Sequence, residues 1–249
     1  MLRLRPIFWP TAIMLPIILF SLGLGVWQMD RREWKRGILD LIAVNQAAAP
    51  MPFDELVTGD PLRREYGRVR VSGTFLHDKE FYLAARSLKD KVGMQVVTPL
   101  RLDDGTIILF DRGWIPSEKK DPAKRAEGQV PGKLDLTGIV RRSQVKRQFA
   151  PDNDPAKNFW FHVDVPLMRQ MAGGKPDPVL DIFFLEADAT PNPGGVPIGG
   201  QTRLDIPNDH LQYAITWFLI ALAGLGVYLA YHWENGRLTV NGRTKVKSP

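Results

Sequence analysis

With 249 residues, 44% of them hydrophobic, and a formal net charge of +6, the chain is long enough for one or two domains with a core of their own. It has no cysteine, which excludes disulfides, iron–sulfur ligation, thiolate zinc or copper sites and a cysteine nucleophile. The pI near 9.6 raises nucleic acid as a partner, but the basic residues are spread out and build no nucleic-acid module, so anionic lipid head groups or an acidic partner fit better.

Mean hydropathy is −0.17 although both ends of the chain are strongly apolar, so the middle reads as a water-soluble domain. The first apolar stretch, Pro6 to Met29, follows Arg3 and Arg5 and starts like a signal peptide. It is too long for a signal core and has no small-x-small cleavage site before the charges begin, so an uncleaved signal anchor is expected. Ser21 and Gly25 offer a small-xxx-small face to another helix, as Gly226 and Ala230 do near the other end of the chain.

Beyond the first anchor the sequence reads Trp27-Gln28-Met29-Asp30-Arg31-Arg32-Glu33-Trp34-Lys35. If helix continues here, Trp27, Arg31 and Trp34 share one face. Two readings stand: an interfacial belt of indoles with arginines on lipid phosphates, or a basic face for the carboxylates of a ligand or a partner. Gly37 to Ala49 reads as a juxtamembrane helix ended by Pro50 and Pro52.

From Gly67 the period changes to two. Val69, Val71 and Phe75 alternate with polar residues, His77-Asp78 turns the chain, and Phe81-Tyr82-Leu83 continues as strand. Val92–Leu102 and Thr106–Ile115 flank Asp103-Asp104-Gly105, a hairpin signal. Further strands are expected at Leu134–Arg141, at Phe159-Trp160-Phe161 and at Ile182–Ala187, with a short helix at Pro166–Met171 and a Pro/Gly loop at Pro191–Gly200. The result is a mostly antiparallel sheet, sandwich or open barrel. The domain has no Gly-x-Ser-x-Gly, no His-Glu-x-x-His, no phosphate loop and no dinucleotide fingerprint, so no enzymatic activity is expected. His77 and His162 stand alone and read as structural, and Arg112-Gly113-Trp114-Ile115-Pro116 ends a strand with its arginine and indole either facing a groove or simply closing the sheet.

The last apolar stretch opens at Asn208-Asp209-His210 and carries no charged side chain from Leu211 to Trp233, enough for a helix of ~20 residues to cross a bilayer. The Asn-Asp pair suits a helix cap. On that helix Tyr213, Ala214, Trp217, Ala221 and Gly224 follow His210 at steps of three and four. The histidine is either a polar residue at the water boundary or an axial ligand above a wall with room for a flat macrocycle or a neighbouring helix. Zinc or copper would need further ligands, and His232 lies ~33 Å along the helix, where it reads as part of the opposite interface belt.

The expected layout is α+β: two transmembrane helices flanking a mostly antiparallel β, extracytoplasmic domain. Residues 1–5 form a cytoplasmic tip, 6–29 the first span and 30–208 the periplasmic β-rich domain with its juxtamembrane helix. Residues 209–233 form the second span and 234–249 a cytoplasmic tail. Basic residues on the two sides nearly tie, with Arg3, Arg5, Arg237, Arg243, Lys245 and Lys247 against Arg31, Arg32, Lys35, Arg36 and Arg203, so the signal-like start sets the orientation.

Four segments recur together in a known order: Leu22-Gly23-Leu24-Gly25-Val26-Trp27-Gln28 with Arg31 and Trp34-Lys35; Gly67–Phe75; Arg112–Pro116; and Asn208–Phe218. In them the chain closely resembles the Surfeit locus protein one (Shy) family over nearly its whole length, Asp209 departing from the usual Asn-Asn-His. The resemblance implies an assembly factor for heme–copper cytochrome c oxidase in the inner membrane. It would bind heme a and assist its delivery to, or stabilisation in, the catalytic subunit. On the same basis His210 is the axial ligand of the heme iron, and the helix face and outer flank read above then put Tyr213 and Trp217 against the macrocycle and Arg31 near a propionate. Trp27, Gln28, Trp34, Arg112, Gly113 and Trp114 are motif or partner contacts. The expected partners are the oxidase catalytic subunit, heme a synthase and membrane lipid, with no nucleic acid. The alternative is a heme-independent membrane scaffold for the oxidase subunit or heme a synthase. A bacterial source is expected, because no Arg/Ser-rich, acid-poor transit peptide precedes the first span.

Overall fold

A computed structural model describes residues 2–146 and 148–240, so Arg243, Lys245 and Lys247 and most of the expected C-terminal tail lie outside the described residues. The chain divides into two compact units, residues 1–39 with 206–249, and Asp40–Asp205.

The first unit is a helical hairpin tied at its ends. Strand β1 (Leu2–Leu4) leads into helix α1 (Phe8–Ala47), which belongs to this unit as far as Leu39. The expected break between anchor and juxtamembrane helix is absent, and the two are one helix. The reason is local. Between Met29 and Ala47 there is no proline and Gly37 is the one glycine, and Glu33 pairs with Arg36 at 3.2 Å, so no strong breaker stops the helix before Pro50. Helices α1 and α4 (His210–Glu234) are each long and apolar enough to cross a membrane, and only 11% of either apolar window is buried, as suits lipid-facing rather than core helices. Past α4 the chain forms strand β9 (Leu238–Val240), antiparallel to β1, and the Arg5 amide donates to the Arg237 carbonyl at 2.8 Å.

Helix α1 meets α4 through its small residues. Ser21 is buried, and a Cβ on Gly25 would fall onto the Phe218 ring, so Gly25 is a notch for that ring. Gly224, not Gly226, faces α1 at Met14 and Ile18, while Gly226 and Ala230 are exposed and leave the expected pairing face of α4 to Ala214, Ala221 and Gly224. Thr11 and Tyr228 share a hydroxyl–hydroxyl hydrogen bond of 2.8 Å. His232, expected in an interface belt, is fully buried: Nε2 accepts from the Ile7 amide at 3.0 Å and Nδ1 donates to the Tyr228 carbonyl at 2.8 Å.

The second unit is built on strand β2 (Met51–Pro52), helix α2 (Phe53–Thr58), strands β3 (Arg68–Phe75), β4 (Phe81–Leu88), β5 (Lys91–Arg101), β6 (Ile107–Pro116) and β7 (Lys133–Arg142), helix α3 (Val165–Met171) and strand β8 (Phe183–Ala187). The sheet order β2-β3-β7-β8-β6-β5-β4 closes on itself where β3 also pairs β5, Thr74 against Arg101 and Phe75 against Leu100. Five strands, β3, β7, β8, β6 and β5, thereby ring a small barrel. All its pairings are antiparallel except β6 with β8. The expected strand at Phe159–Phe161 reduces to isolated bridges, Leu83 to Trp160 and Asp154 to Phe159, the latter closing a local turn, and Trp160 is fully buried.

Alternation along the strands makes two large cores and a smaller one of Tyr82, Val96, Ile115 and Val196. Val69, Val71, Phe75, Leu100, Phe110, Val140 and Leu185 fill one, lidded by Phe53 and Leu56 of α2. Leu109, Val97, Phe81, Leu83, Phe184, Trp160 and Met168 fill the other. Strand β6 serves all three and is buried from Ile107 to Ile115. Its polar pair Asp111-Arg112 is therefore carried inside. Gly113 follows at φ +113°, and a Cβ there would meet the Ile198 carbonyl, which accepts from the Trp114 amide at 2.9 Å. Gly113→Ala is expected to destabilise the domain by at least ~1–3 kcal/mol, read as a lowered midpoint in chemical denaturation of the detergent-solubilised chain.

Candidate functional site

Residues 182 positions apart meet in the hairpin, where α4 begins beside α1 at Gln28. Nδ1 of His210 lies 2.7 Å from Oε1 of Gln28. A carboxamide oxygen only accepts, so Nδ1 carries the proton and, in the neutral ring, Nε2 keeps its lone pair. Nε2 has no hydrogen-bond partner among the described residues, and the ring is half-buried. A bare imidazole nitrogen whose opposite N–H is held by a fixed acceptor is the arrangement found behind metal-bound histidines. Among the described residues no three His, Asp or Glu side chains gather as a metal-holding group, so His210 is a single donor suited to an ion whose other ligands come with it.

Around this pair, Asp209 takes the N-cap position without a side-chain cap bond, unlike the expected capping pair. Asn208 instead turns its Nδ2 towards the Arg32 carbonyl at 3.4 Å, and its Oδ1 is buried without a partner. Arg31 lies over the Trp34 ring at 4.3 Å, so one turn of helix presents a cation on an indole. Tyr213 is exposed and Trp217 half-buried; Trp27 and Trp34 are both exposed. The small residues that follow His210 along α4 are packed on α1, so that wall is taken by the neighbouring helix. Sequence reasoning named both Gln28 and His210 but did not join them. The signal was their like depth: each is the polar residue at the inner end of an apolar span.

The β unit contains a second polar centre that sequence reasoning missed. Glu80 is buried, with Oε1 accepting from Arg125 Nη1 at 3.1 Å and Gln129 Nε2 at 3.2 Å. Oε2 accepts from Arg125 Nη2 and from the Tyr82 hydroxyl, the latter at 3.0 Å. Burial by itself would raise the Glu80 pKa, but hydrogen bonds from His77 and Arg125 and the charge of Arg125 outweigh it and hold the carboxyl at about 2. Burial and the Glu80 charge push Tyr82 up to about 12. Arg112 Nη1 approaches Glu80 Oε1 at 3.5 Å, and Nη2 donates to the Gly128 carbonyl. Trp114 is buried too, its Nε1 donating to the Arg86 carbonyl at 3.2 Å. Arg112, Gly113 and Trp114 are thus buried rather than on the surface. The hint lay in β6, where a charged pair interrupts a solidly apolar strand and must find partners inside.

The SURF1 family model matches residues 15–222, which takes in Gln28, both polar centres and His210. The chain belongs to the SURF1 family. It is 35% identical over 240 residues to Surfeit locus protein 1 of Xenopus tropicalis, covering 89% of this chain and 73% of that one. With Surfeit locus protein 1 of Homo sapiens it shares 35% over 240 residues, covering 89% and 74%. A SURF1-like protein of Monosiga brevicollis is 37% identical over 243 residues, covering 92% of this chain and 89% of the relative. The Gln28–His210 pair and the Glu80–Arg112–Arg125 centre are therefore features of a SURF1-family chain, one in the helical unit and one in the β unit.

Proposed function

We propose that this SURF1-family chain is a non-catalytic assembly factor for a heme–copper cytochrome c oxidase, holding heme a at His210 for the catalytic subunit. The observation that carries the reading is the Gln28–His210 hydrogen bond, which holds Nδ1–H so that Nε2 of the neutral ring would be the nitrogen to bind the heme iron. Arg31, stacked on Trp34, is the cation available to a propionate, and Trp217 and Tyr213 are the rings beside the histidine. Heme a supplies the iron and the anionic propionates that this donor set matches. The two apolar helices and the signal-like start favour an inner-membrane protein with both termini cytoplasmic and the β unit periplasmic. Release requires that docking on the oxidase subunit lower the affinity for the cargo, since a carrier equally tight in both states delivers nothing.

Protein purified in detergent from cells that make heme a is expected to show a heme a pyridine hemochrome spectrum. His210→Ala should lose it, and Gln28→Leu should retain a reduced share, with ~10–100-fold weaker binding. Heme-free wild-type protein from the same cells would sink the carrier reading and leave a heme-independent scaffold.

A further inference from the structure

The polar centre of the β unit has a charge imbalance. Two buried guanidiniums, Arg112 and Arg125, face one carboxylate, Glu80, and the protonated Tyr82 adds no anion. The two arginines are not equally served. Arg125 holds Glu80 through both terminal nitrogens and donates from Nε to the Lys119 carbonyl at 3.1 Å. Arg112 is 2% exposed, donates from Nη2 to the Gly128 carbonyl, reaches Glu80 only at 3.5 Å and has a buried Nε with no partner among the described residues. The His77 ring supplies no anion: its Nε2 donates to the Val130 carbonyl at 3.0 Å, and its Nδ1 lies between Arg112 Nη1 at 3.5 Å and Glu80 Oε1 at 3.7 Å. A buried cation left short of an acceptor is strongly unfavourable.

Arg112 also lines a cavity of about 300 Å³ whose other walls include Phe75, Phe110, Leu134, Leu136 and Pro191. The guanidinium lies over the Phe75 ring at 4.9 Å, so charge and apolar wall adjoin. Two acids, Asp135 and Asp188, also line the cavity, and both are engaged: Asp135 accepts from the Ser72 hydroxyl, and Asp188 from the Thr190 amide at 2.9 Å. Their charges weigh against a polyanion more than against a single carboxylate, whose one cationic partner in the lining is Arg112.

We propose that this cavity is a binding site for a small monocarboxylate with an apolar body, its carboxylate on Arg112 and its body against Phe75, Phe110 and Leu136. The site is independent of the His210 centre and of any cargo held there. Burial lowers the Arg112 pKa to about 10 in spite of Glu80, in keeping with a cation short of counter-charge.

Isothermal titration of the full chain in detergent with phenylacetate tests this. Saturable one-to-one binding is expected, with the neutral isostere phenylacetamide at least ~10-fold weaker. Phenylmalonate, with its second carboxylate, should also bind more weakly than phenylacetate. Thr190→Trp, an exposed change at the cavity wall, should abolish binding while leaving the melting temperature unchanged. Arg112→Lys should weaken it, and His210→Ala should not affect it. No heat from phenylacetate, equal binding of acid and amide, tighter binding of phenylmalonate, or binding indifferent to Thr190→Trp would each overturn the proposal.

Discussion

Glu80→Gln is expected to destabilise the β unit by about 3–5 kcal/mol, the cost of breaking a buried ion pair from one side. Glutamine keeps the size and one acceptor oxygen but removes the one carboxylate that, among the described residues, forms ion pairs with both Arg112 and Arg125. The two guanidiniums would then stand against each other in a site nearly closed to water, and the Tyr82 hydroxyl would lose its charged acceptor. Urea titration of the detergent-solubilised chain, followed by tryptophan fluorescence, measures the loss; Trp114 and Trp160 are buried in this unit and report on it. A change below about 1 kcal/mol, the scale of an exposed pair, would show that the centre does not depend on its carboxylate. The effect has its own pH window. Glu80 is depressed to about 2 from 4.5, so its contribution is present above about 4.5 and is lost as pH falls through about 2.

Asp111→Asn should act in the opposite direction and at the other end of the pH scale. Asp111 lies fully buried on β6, paired in register with Glu186 of β8. Burial and the Glu186 charge raise its pKa from 3.8 to about 8, while the Gly113 amide, donating to Oδ1 at 2.9 Å, works against the rise. In the folded chain Asp111 therefore keeps a proton that the unfolded chain gives up. Between about pH 4 and pH 8 the unfolded state binds fewer protons, so stability falls as pH rises, by up to about 1.4 kcal/mol per pH unit. Asparagine is neutral throughout and can still accept from Gly113. The wild type and Asp111→Asn should match in stability near pH 4 and separate progressively towards pH 8, the variant being the more stable. Thermal melts at one-unit pH steps read this directly, and parallel curves would refute it.

The elements themselves were largely legible. Period-two alternation from Arg68 to Phe75 is strand β3, the Asp103-Asp104-Gly105 turn joins β5 to β6, and the charge-free run after His210 is α4. These are local patterns, set within a dozen residues. What local pattern does not carry is pairing across distance. The barrel closes through only two residue pairs between β3 and β5, and β6 meets β8 in parallel over two more. The two-residue strand β2 is too short for any period to show. The same limit governs the sites. Gln28 and His210 are each visible as a polar residue ending an apolar run, yet their hydrogen bond depends on how two helices far apart in sequence align. Glu80 looks like an ordinary charged residue before Phe81, and only the burial of Arg112 and Arg125 reveals its role.

The helical hairpin is crossed by polar rungs near both its ends: Gln28 with His210 at one, and Thr11 with Tyr228 and the Ile7 amide with His232 at the other. The outer rungs are 22 residues apart on α4, ~33 Å along the helix, close to the thickness of a bilayer's hydrocarbon core. Sliding one helix past the other by a single turn would break every rung at once and strand the freed groups in lipid. A thicker or thinner membrane cannot therefore be met by shifting the helices against each other. The hairpin must tilt as one body, and the His210 ring then keeps its Gln28 partner whatever the thickness of the bilayer around it.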